Sequence, residues 1–430
     1  MDGSENTTPF RVLLYSHDSV GLGHIRRNLA LAHTLATEIP AMTGRPVTGM
    51  LLTGVGHGTD LDVPEGFDVA LLPSICKGDS GYEPRHMQVP MDDLIDIRTQ
   101  LVKGVVKGLS PDLIVVDRHA YGVNGELRKT LAKTRKKRPG TTIVLGLREV
   151  LDEPAVAAAE WERLGDLETF RAIFDEIWVY GDPQVHDVRR TGEVPAILHD
   201  MVRYTGYLSN GRRWVPEADP TEAPYIVSMS GGGSDGKGML SIAARATVPA
   251  GHRHLVVAGP QMPAEDVAEL QRHAAPGTRV VASVPDGLAT IRRATAVVSM
   301  AGYNTVNEVM STDHPVLLVP RELPRQEQLI RARGLKRAGA VDMERLDHLT
   351  ADRLSAWFAA AVHRTQDRTH LDLAGGRVEL RGFGAFSVKK RQTRDDLVKV
   401  KGHLTEIENA FHNKTPPGGG LWYGYQTRLF

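Results

Sequence analysis

Short apolar runs alternate with amphipathic stretches along this chain from about residue 10 to residue 365. Continuous apolar runs rich in β-branched residues indicate strands buried on both faces, and apolar positions three or four residues apart indicate helices. In the first half, strands are predicted over 10–15, 47–53, 68–72, 112–117, 141–147 and 176–180. Helices are predicted between them, over 25–36, 91–106, 125–133 and 155–164. This order predicts a parallel sheet covered by helices on both faces.

The same alternation begins again after a proline-containing polar segment at 211–224, which is predicted to be a linker. Strands are predicted over 225–230, 254–258, 279–284, 296–299 and 315–319, and helices over 238–246, 264–273, 304–310, 326–336 and 351–363. The last helix would bury Leu354, Trp357, Phe358 and Ala361 on one face.

The chain is therefore expected to have an α/β fold with two Rossmann-like, doubly wound domains, 1–210 and 225–365. Residues 366–430 would form an extension of unknown role. Two such domains leave a cleft at the carboxyl ends of their strands, where ligands usually bind.

A glycine-rich turn lies between the first strand and the first helix of each half. The first is Gly21-Leu22-Gly23-His24, and the second runs from Gly231 to Gly236. Such turns let the backbone approach an anion, and the helix that follows offers unpaired N–H groups and a positive dipole end. Each could also be a tight turn without a ligand, but their matching placement favours binding. Because only the first carries a histidine, one domain is expected to hold a phosphate and the other to supply a base.

Neither turn is complete as a known nucleotide-binding motif. Arg26 stands where a dinucleotide fingerprint has its third glycine, and no acidic residue ends the next strand. The second turn has P-loop spacing up to Lys237, but Gly238 stands where a hydroxyl must hold magnesium.

Composition narrows the class of protein. The chain has 430 residues, 41% of them apolar, and equal numbers of basic and acidic residues, 52 of each. This describes a globular protein and offers no bulk charge for nucleic acid. One cysteine, Cys76, excludes an internal disulfide and a cysteine-built zinc site. The polar amino terminus and the absence of long apolar runs predict a cytoplasmic protein, with at most peripheral contact with the inner face of a membrane.

Three segments resemble glycosyltransferases of the GT-B fold: residues 12–35, the triple-glycine turn and residues 299–341. The likeness is greatest to the branch that contains the N-acetylglucosaminyltransferase forming peptidoglycan lipid II and the galactolipid synthases. More narrowly, the opening S-H-D-x-x-G-L-G-H-x-R-R resembles an uncharacterised bacterial group of predicted glycosyltransferases. The likeness covers about residues 10–365. It implies that the carboxyl-terminal domain takes a nucleotide sugar and that transfer inverts the anomeric centre without an essential metal or cofactor.

The resemblance also implies a base. His24 matches the histidine that closes the family's first glycine turn, which is proposed to take the proton of the acceptor hydroxyl. Its position at a helix amino terminus is expected to lower its pKa. His17 and Asp18 lie on the same loop, and either could be the base instead, or Asp18 could orient one. A structural or helix-capping role is the alternative for His24.

A larger set is expected to bind the donor. Backbone groups at the glycine turns and at a later helix start would hold the diphosphate, a glutamate would accept hydrogen bonds from the ribose hydroxyls, and a Glu-Gln pair would contact the sugar. The set is Gly21, Gly23, Gly231, Gly232, Gly233, Ser234, Gly302, Thr305, Glu308, Glu327 and Gln328. Glu327 replaces a glutamine of the family and Ala301 a serine, so the identity of the sugar stays open. For Glu308, a place on the helix surface is the alternative.

Other candidates are weaker. Asp60-Leu61-Asp62 has the D-x-D form of a metal site, although chance explains it better. Seven basic residues over 128–138 could contact acidic lipid headgroups or simply form a solvated helix end. Acceptor-side candidates are Asp79, Tyr82, Arg85, Arg148, Glu149 and Asp152. Residues 377–391 resemble a hairpin of histone-like DNA-bending proteins, over a stretch too short to make that domain.

These observations predict an inverting glycosyltransferase that uses a nucleoside diphosphate sugar, expected to be a UDP-sugar. The acceptor is an unknown hydroxyl compound, which could be lipid-linked, a glycan or a small molecule. A UDP-sugar 2-epimerase on the same fold is the second enzymatic possibility. A nucleotide- or DNA-binding regulator that uses the tail, and a P-loop NTPase, are further alternatives.

Overall fold

Two parallel sheets with helices on their faces form the body of the protein. The computed structural model describes residues 8–16, 23–54, 62–78, 81–208, 223–233 and 235–371, together with the backbone of 377–380 and 384–387. The predicted linker therefore lies almost entirely outside the described residues.

The first sheet and its helices span residues 10–204. The strands are β1 (Phe10–Tyr15), β2 (Val47–Thr53), β3 (Phe67–Leu71), β4 (Ile75–Lys77), β5 (Tyr82–Pro84), β6 (Leu113–Asp117), β7 (Thr142–Arg148), β8 (Glu176–Tyr180) and β9 (Val202–Tyr204). The helices are α1 (Gly23–Thr43), α2 (Met91–Leu109), α3 (Arg128–Lys137), α4 (Pro154–Leu164) and α5 (Leu167–Ile173), with short 3-10 helices at Val123–Gly125 and Ala196–Met201.

The second sheet and its helices span residues 225–361. The strands are β10 (Tyr225–Met229), β11 (Arg253–Val257), β12 (Thr278–Val281), β13 (Ala296–Ser299), β14 (Val316–Leu318) and β15 (Asp342–Met343). The helices are α6 (Lys237–Arg245), α7 (Ala264–Arg272), α8 (Gly287–Arg293), α9 (Tyr303–Met310), α10 (Glu327–Arg337) and α11 (Ala351–Ala361), with a 3-10 helix at Leu346–His348. A separate antiparallel hairpin joins β16 (Arg377–Leu380) to β17 (Gly384–Ser387).

Strand order creates the place for a site. The first sheet runs β3-β2-β1-β6-β7-β8-β9 and the second β12-β11-β10-β13-β14-β15, and every neighbouring pair in them is parallel. In each sheet the chain leaves the first strand in one direction and later returns on its other side. The loops at the carboxyl ends of β1 and β6, and of β10 and β13, therefore diverge and leave a crevice. The predicted α/β fold with two Rossmann-like sheets is confirmed.

The central strands are buried because their residues are apolar on both faces. Every residue of β6 and β8 is buried, and α11 buries Leu354, Phe358 and Ala361 completely while Trp357 is partly buried, as predicted. The burial of both strand faces explains why continuous apolar runs located the strands so closely.

The two halves contact each other through a buried ion pair. Arg331 on α10 donates from Nε to Oε1 of Glu149 at 2.5 Å and from Nη1 to the carbonyl of Ala301 at 2.8 Å. Both charged side chains are fully buried. Nearby, Gly334 lies so close to the first half that a Cβ there would be 2.7 Å from the carbonyl oxygen of Val185.

The basic run forms α3, whose lysines face solvent while Arg135 pairs with Asp175 at 2.5 Å. Within the described ranges, none of the helices combines the length and apolar character that a membrane span needs.

Candidate active site

A cleft of about 900 Å³ lies between the carboxyl ends of the two sheets. Its first wall comes mainly from the start of α1 and the carboxyl ends of β6 and β7, and its second wall from the segments after β10, β11, β12 and β13. Seven predicted donor-site residues line it, namely Gly23, Gly231, Gly232, Gly302, Thr305, Glu308 and Gln328, and so does His24. The structure therefore brings residues 23 and 24 to one space with residues some 200 to 300 positions later.

His24 lies in the first turn of α1 and pairs with Asp117, the last residue of β6. Because β6 is the neighbour of β1 in the sheet, its carboxyl end lies beside the start of α1. Nδ1 of His24 contacts Oδ2 of Asp117, so the tautomer that the carboxylate favours carries its proton on Nδ1. That tautomer leaves Nε2 as the basic nitrogen.

Arg27, one helical turn after His24, completes this group. Its Nη2 donates to Oδ2 of Asp117 at 2.8 Å and its Nε to Oδ1 at 3.1 Å. The same Nη2 lies 2.7 Å from Nδ1 of His24, a close contact that is not a hydrogen bond in the tautomer that Asp117 favours, because both nitrogens then carry hydrogen. A guanidinium at this distance disfavours a second positive charge on the imidazole.

The pKa values of this group follow from burial and charge. Burial lowers the pKa of His24; Asp117 opposes this, while Arg27 adds to it, and the net shift is downward. Burial would raise the pKa of Asp117, but Arg27 and His24 outweigh it and hold that pKa well below its usual value. The histidine is thus neutral and the aspartate charged at neutral pH, which is the state required of an oriented base.

The two residues after Asp117 also line the cleft. Arg118 has a φ of 70°, a left-handed conformation that non-glycine residues seldom adopt, and its amide donates to the carbonyl of Gly146 on β7. Such strain is often found at functional sites. The pKa of His119 is lowered to about 3, first by burial and then by Arg118 and His24. His119 is therefore a neutral polar side chain in the wall.

The triple-glycine turn forms the opposite wall. Gly231 and Gly233 have φ values of 71° and 98°, and a Cβ on Gly233 would lie 2.6 Å from the carbonyl oxygen of Ala258. Glycine is thus required where this turn packs against the loop after β11. Gly236 precedes α6 without a side-chain cap among the described residues, so the first amides of α6 are available to an anion. Gly233 does not line the cleft as the structure describes it, and its predicted donor contact stays a prediction.

Lys237 argues against a P-loop. Its Nζ lies 2.6 Å from Asp266 and 2.8 Å from Glu269, both on α7, and it is not part of the described cleft wall. A P-loop lysine would instead reach toward the phosphates.

Helix α9 presents an uncapped start to the cleft. Gly302 is its N-cap residue, without a side-chain hydrogen bond from any described group, and Thr305 stands in its first turn. Glu308, one turn later, is buried and lines the cleft. Its carboxylate faces Gly287, where a Cβ would lie 3.8 Å from Oε2. The surface alternative for Glu308 is therefore wrong.

The predicted Glu-Gln pair separates at the start of α10. Gln328 lines the cleft and its Oε1 accepts a hydrogen bond from the Arg321 amide at 3.2 Å. Glu327 is buried outside the described cleft lining, and its Oε1 accepts from Nη2 of Arg321 at 2.6 Å. Its contact with the sugar stays a prediction.

The remaining candidates fall into three groups. Arg148 and Tyr82 line the cleft. Glu149 pairs with Arg331 and Asp152 with Arg325, both in the second half. Arg85 donates a hydrogen bond to the carbonyl of Ile75. Five predicted positions lie outside the described residues: His17, Asp18, Gly21, Asp79 and Ser234. Asp60 and Leu61 of the D-x-D also lie outside the described residues. Asp62 is exposed, and its Oδ2 lies 4.0 Å from Nε2 of His33. Among the residues that the structure describes, no cluster of three His, Cys, Asp or Glu could hold a metal ion.

Sequence reasoning missed Asp117 and Arg27 as site residues. A signal for Asp117 was present, because it is an acidic residue at the end of an otherwise apolar strand. Arg27 carried less information, since its pairing across 90 residues depends on strand order.

No protein-family model matches the chain. It is similar to an uncharacterized glycosyltransferase of Methanosarcina mazei, with 23% identity over 313 residues that cover 70% of this chain and 77% of that protein. Among solved structures it is similar to the kitacinnamycin glycotransferase, with 16% identity, a TM-score of 0.53, and coverage of 83% of this chain and 91% of that one. Arabidopsis thaliana UGT89C1, complexed with UDP-L-rhamnose, has 15% identity, a TM-score of 0.53, and coverage of 82% of this chain and 90% of that one. SnogD from Streptomyces nogalater has 13% identity, a TM-score of 0.53, and coverage of 83% and 92%.

These likenesses show the fold. The chain has the GT-B architecture that the resemblance implied, with its cleft between the two Rossmann-like halves. The name of the Methanosarcina relative agrees with the predicted enzyme class.

Proposed function

We propose that this protein transfers a sugar from a UDP-sugar donor to an acceptor hydroxyl. The transfer inverts the anomeric centre and needs no metal. The observation that carries the proposal is that His24, paired with Asp117, lines one cleft together with the glycine turn at Gly231 and Gly232 and the uncapped start of α9. One wall offers a base and the other offers a place for a leaving diphosphate. The UDP-L-rhamnose complex of a protein with this fold supports the choice of donor.

In the proposed step, Nε2 of His24 takes the proton from the acceptor hydroxyl. The hydroxyl oxygen attacks the anomeric carbon as the bond from that carbon to the diphosphate oxygen breaks, and the electron pair leaves with the diphosphate. Asp117 holds the imidazole by Nδ1 and stabilises the imidazolium that forms. Attack from the side opposite to the leaving group inverts the anomeric centre.

The donor side relies mainly on backbone groups. Amides at Gly231, Gly232 and the start of α9 can donate to the diphosphate, and Thr305 can add a hydroxyl. Glu308 can accept hydrogen bonds from both ribose hydroxyls, because a carboxylate offers two oxygens. Gln328 is left to orient the sugar.

Calorimetric titration with UDP, ADP and GDP tests the donor side. UDP should bind, E308A should weaken its binding at least tenfold, and D352N, at an exposed position of α11, should leave it unchanged. If none of the three nucleotides binds the parent protein, the donor assignment is wrong.

Release of UDP from a panel of UDP-sugars, with pooled acceptor alcohols, tests the chemistry. H24A should abolish transfer while UDP affinity changes by less than about twofold. Unchanged turnover would remove His24 from the role of base. NMR of the product reports the anomeric configuration, and incubation with EDTA tests the need for a metal. Formation of an epimer from the donor alone would favour the 2-epimerase instead.

A further inference from the structure

Arg148, at the carboxyl end of β7, lines the cleft without a counter-ion among the described residues. Its Nε is buried and makes no hydrogen bond to any group that the structure describes. The arginines around it differ in this respect. Arg27 pairs with Asp117 at 2.8 Å, Arg118 with Glu160 at 2.5 Å, and Arg331 with Glu149 at 2.5 Å.

This arrangement is electrostatically unfavourable as it stands. Burial first, and then the charges of Arg27, Arg118 and Arg331, lower the pKa of Arg148 to about 9, although Glu327 opposes them. The side chain still carries its charge at neutral pH. A partly buried cation that faces three others costs stability unless an anion is bound beside it.

The neighbourhood of Arg148 places that anion close to the base. Arg148 and His24 are near enough for the charge of the arginine to lower the pKa of the histidine. The amide of Arg118 donates to the carbonyl of Gly146, two residues before Arg148, so the segment that carries Arg118 is held against the end of strand β7. Both belong to the first half, on the wall opposite the glycine turn that is assigned to the donor diphosphate.

We propose that Arg148, with Arg118 beside it, binds an anionic group of the acceptor, a phosphate or a carboxylate, and so holds the acceptor hydroxyl at His24. This rests on the proposed function, because it assumes that the second wall is occupied by the donor. The planar guanidinium offers a fork of N–H donors that matches two oxygens of a phosphate or carboxylate. The substrate class that follows is an alcohol that carries a negative charge near its reacting hydroxyl.

Binding to the UDP-loaded protein tests the proposal separately from the donor site. With UDP saturating, inorganic phosphate, acetate, a short phosphomonoester and a long-chain alkyl phosphate are titrated by calorimetry in a buffer free of phosphate. At least one of these anions should bind, and R148Q should weaken that binding at least tenfold while UDP affinity stays within twofold. Preference for the long-chain phosphate indicates a lipid-linked acceptor, and preference for the short one a soluble acceptor. R163Q, which removes an exposed charge on α4, should change neither affinity.

A second measurement needs no ligand. Because Arg148 has no counter-ion within the described ranges, R148M should melt at the same or a higher temperature than the parent, whereas loss of a structural arginine lowers the melting temperature. A lower melting temperature, an anion affinity unchanged in R148Q, or no anion binding to the UDP complex would each overturn the proposal. An equal loss of UDP and anion affinity would assign Arg148 to the donor instead. Failure of UDP itself to bind would refute the proposed function and not this inference alone.

Discussion

Replacing Arg331 with methionine removes one partner of the buried ion pair between the two halves. The variant leaves the Glu149 carboxylate fully buried without its counter-ion, and the carbonyl of Ala301 without the donor at 2.8 Å. Breaking a buried pair in this way typically costs about 3–5 kcal/mol. For a domain of 150–250 residues that corresponds to a melting temperature lower by roughly 6–20 °C.

Thermal unfolding of four proteins measures this effect: the parent, R331M, E149M and the double variant. The double variant should be more stable than either single variant, because it buries no unpaired charge. The stability of the double variant should still be lower than that of the parent by about 1–3 kcal/mol, because the Ala301 carbonyl still lacks its donor. R171M, which breaks an exposed pair with Asp200, should shift the melting temperature far less. The reasoning fails if R331M melts like R171M, or if the two single losses simply add.

Two further predictions concern the base and the contact between the halves. Since the pKa of His24 lies below its ordinary value of 6.5, the neutral imidazole persists and kcat/KM should fall only below that pH. D117N removes an influence that raises this pKa, so the acid limb of the kcat/KM profile should move to lower pH. The plateau of kcat/KM should drop by about 10²–10⁴-fold. An acid limb at or above pH 6.5 in the parent would contradict the assignment of His24 as the base. G334A should destabilise the protein by about 1–3 kcal/mol, because the new Cβ would lie 2.7 Å from the carbonyl oxygen of Val185. G104A, where a Cβ would meet open space on α2, should stabilise the protein by up to about 1 kcal/mol. Equal effects of the two variants on urea unfolding would refute this reasoning.

The fold could be predicted from sequence wherever a segment was long and apolar on both faces. Strand β1 has the predicted bounds, and β6 begins one residue later than predicted. Short edge elements could not be found in this way. Strands β4, β5, β9 and β15 have only two or three residues, and helices α5 and α8 have only seven. In elements this short the hydrophobic period does not repeat often enough to be recognised.

Helix α1 shows a different limit. It was predicted to end at residue 36 but continues to Thr43 with Pro40 inside it. Its buried face includes Leu31, Leu35 and Ile39, so packing against the sheet extends the helix past a residue that usually ends one.

From local pattern alone, the site could be predicted only where one segment carries both a turn and a functional residue; Glu308 and Gln328, which also line the cleft, were predicted from the family resemblance. His24 was recognised because it closes the glycine turn before α1. Asp117 pairs with it across 93 residues, and that pairing depends on β6 lying beside β1, which no local pattern states. Arg148 was already a candidate because it follows a predicted strand, and the same rule, applied to the end of the strand predicted over 112–117, would have selected Asp117.

In the function proposed above, the two walls of the cleft bind their substrates by different means, and this has a consequence for specificity. The donor wall relies on backbone amides at Gly231, Gly232 and the start of α9, which most side-chain substitutions leave in place. The acceptor wall relies on side-chain charge at Arg118 and Arg148, which a single substitution can remove or reverse. Donor preference is therefore constrained by the path of the chain, whereas acceptor preference can change without disturbing the fold. A charge reversal at Arg148 should alter the class of acceptor that is bound and leave the affinity for UDP almost unaffected.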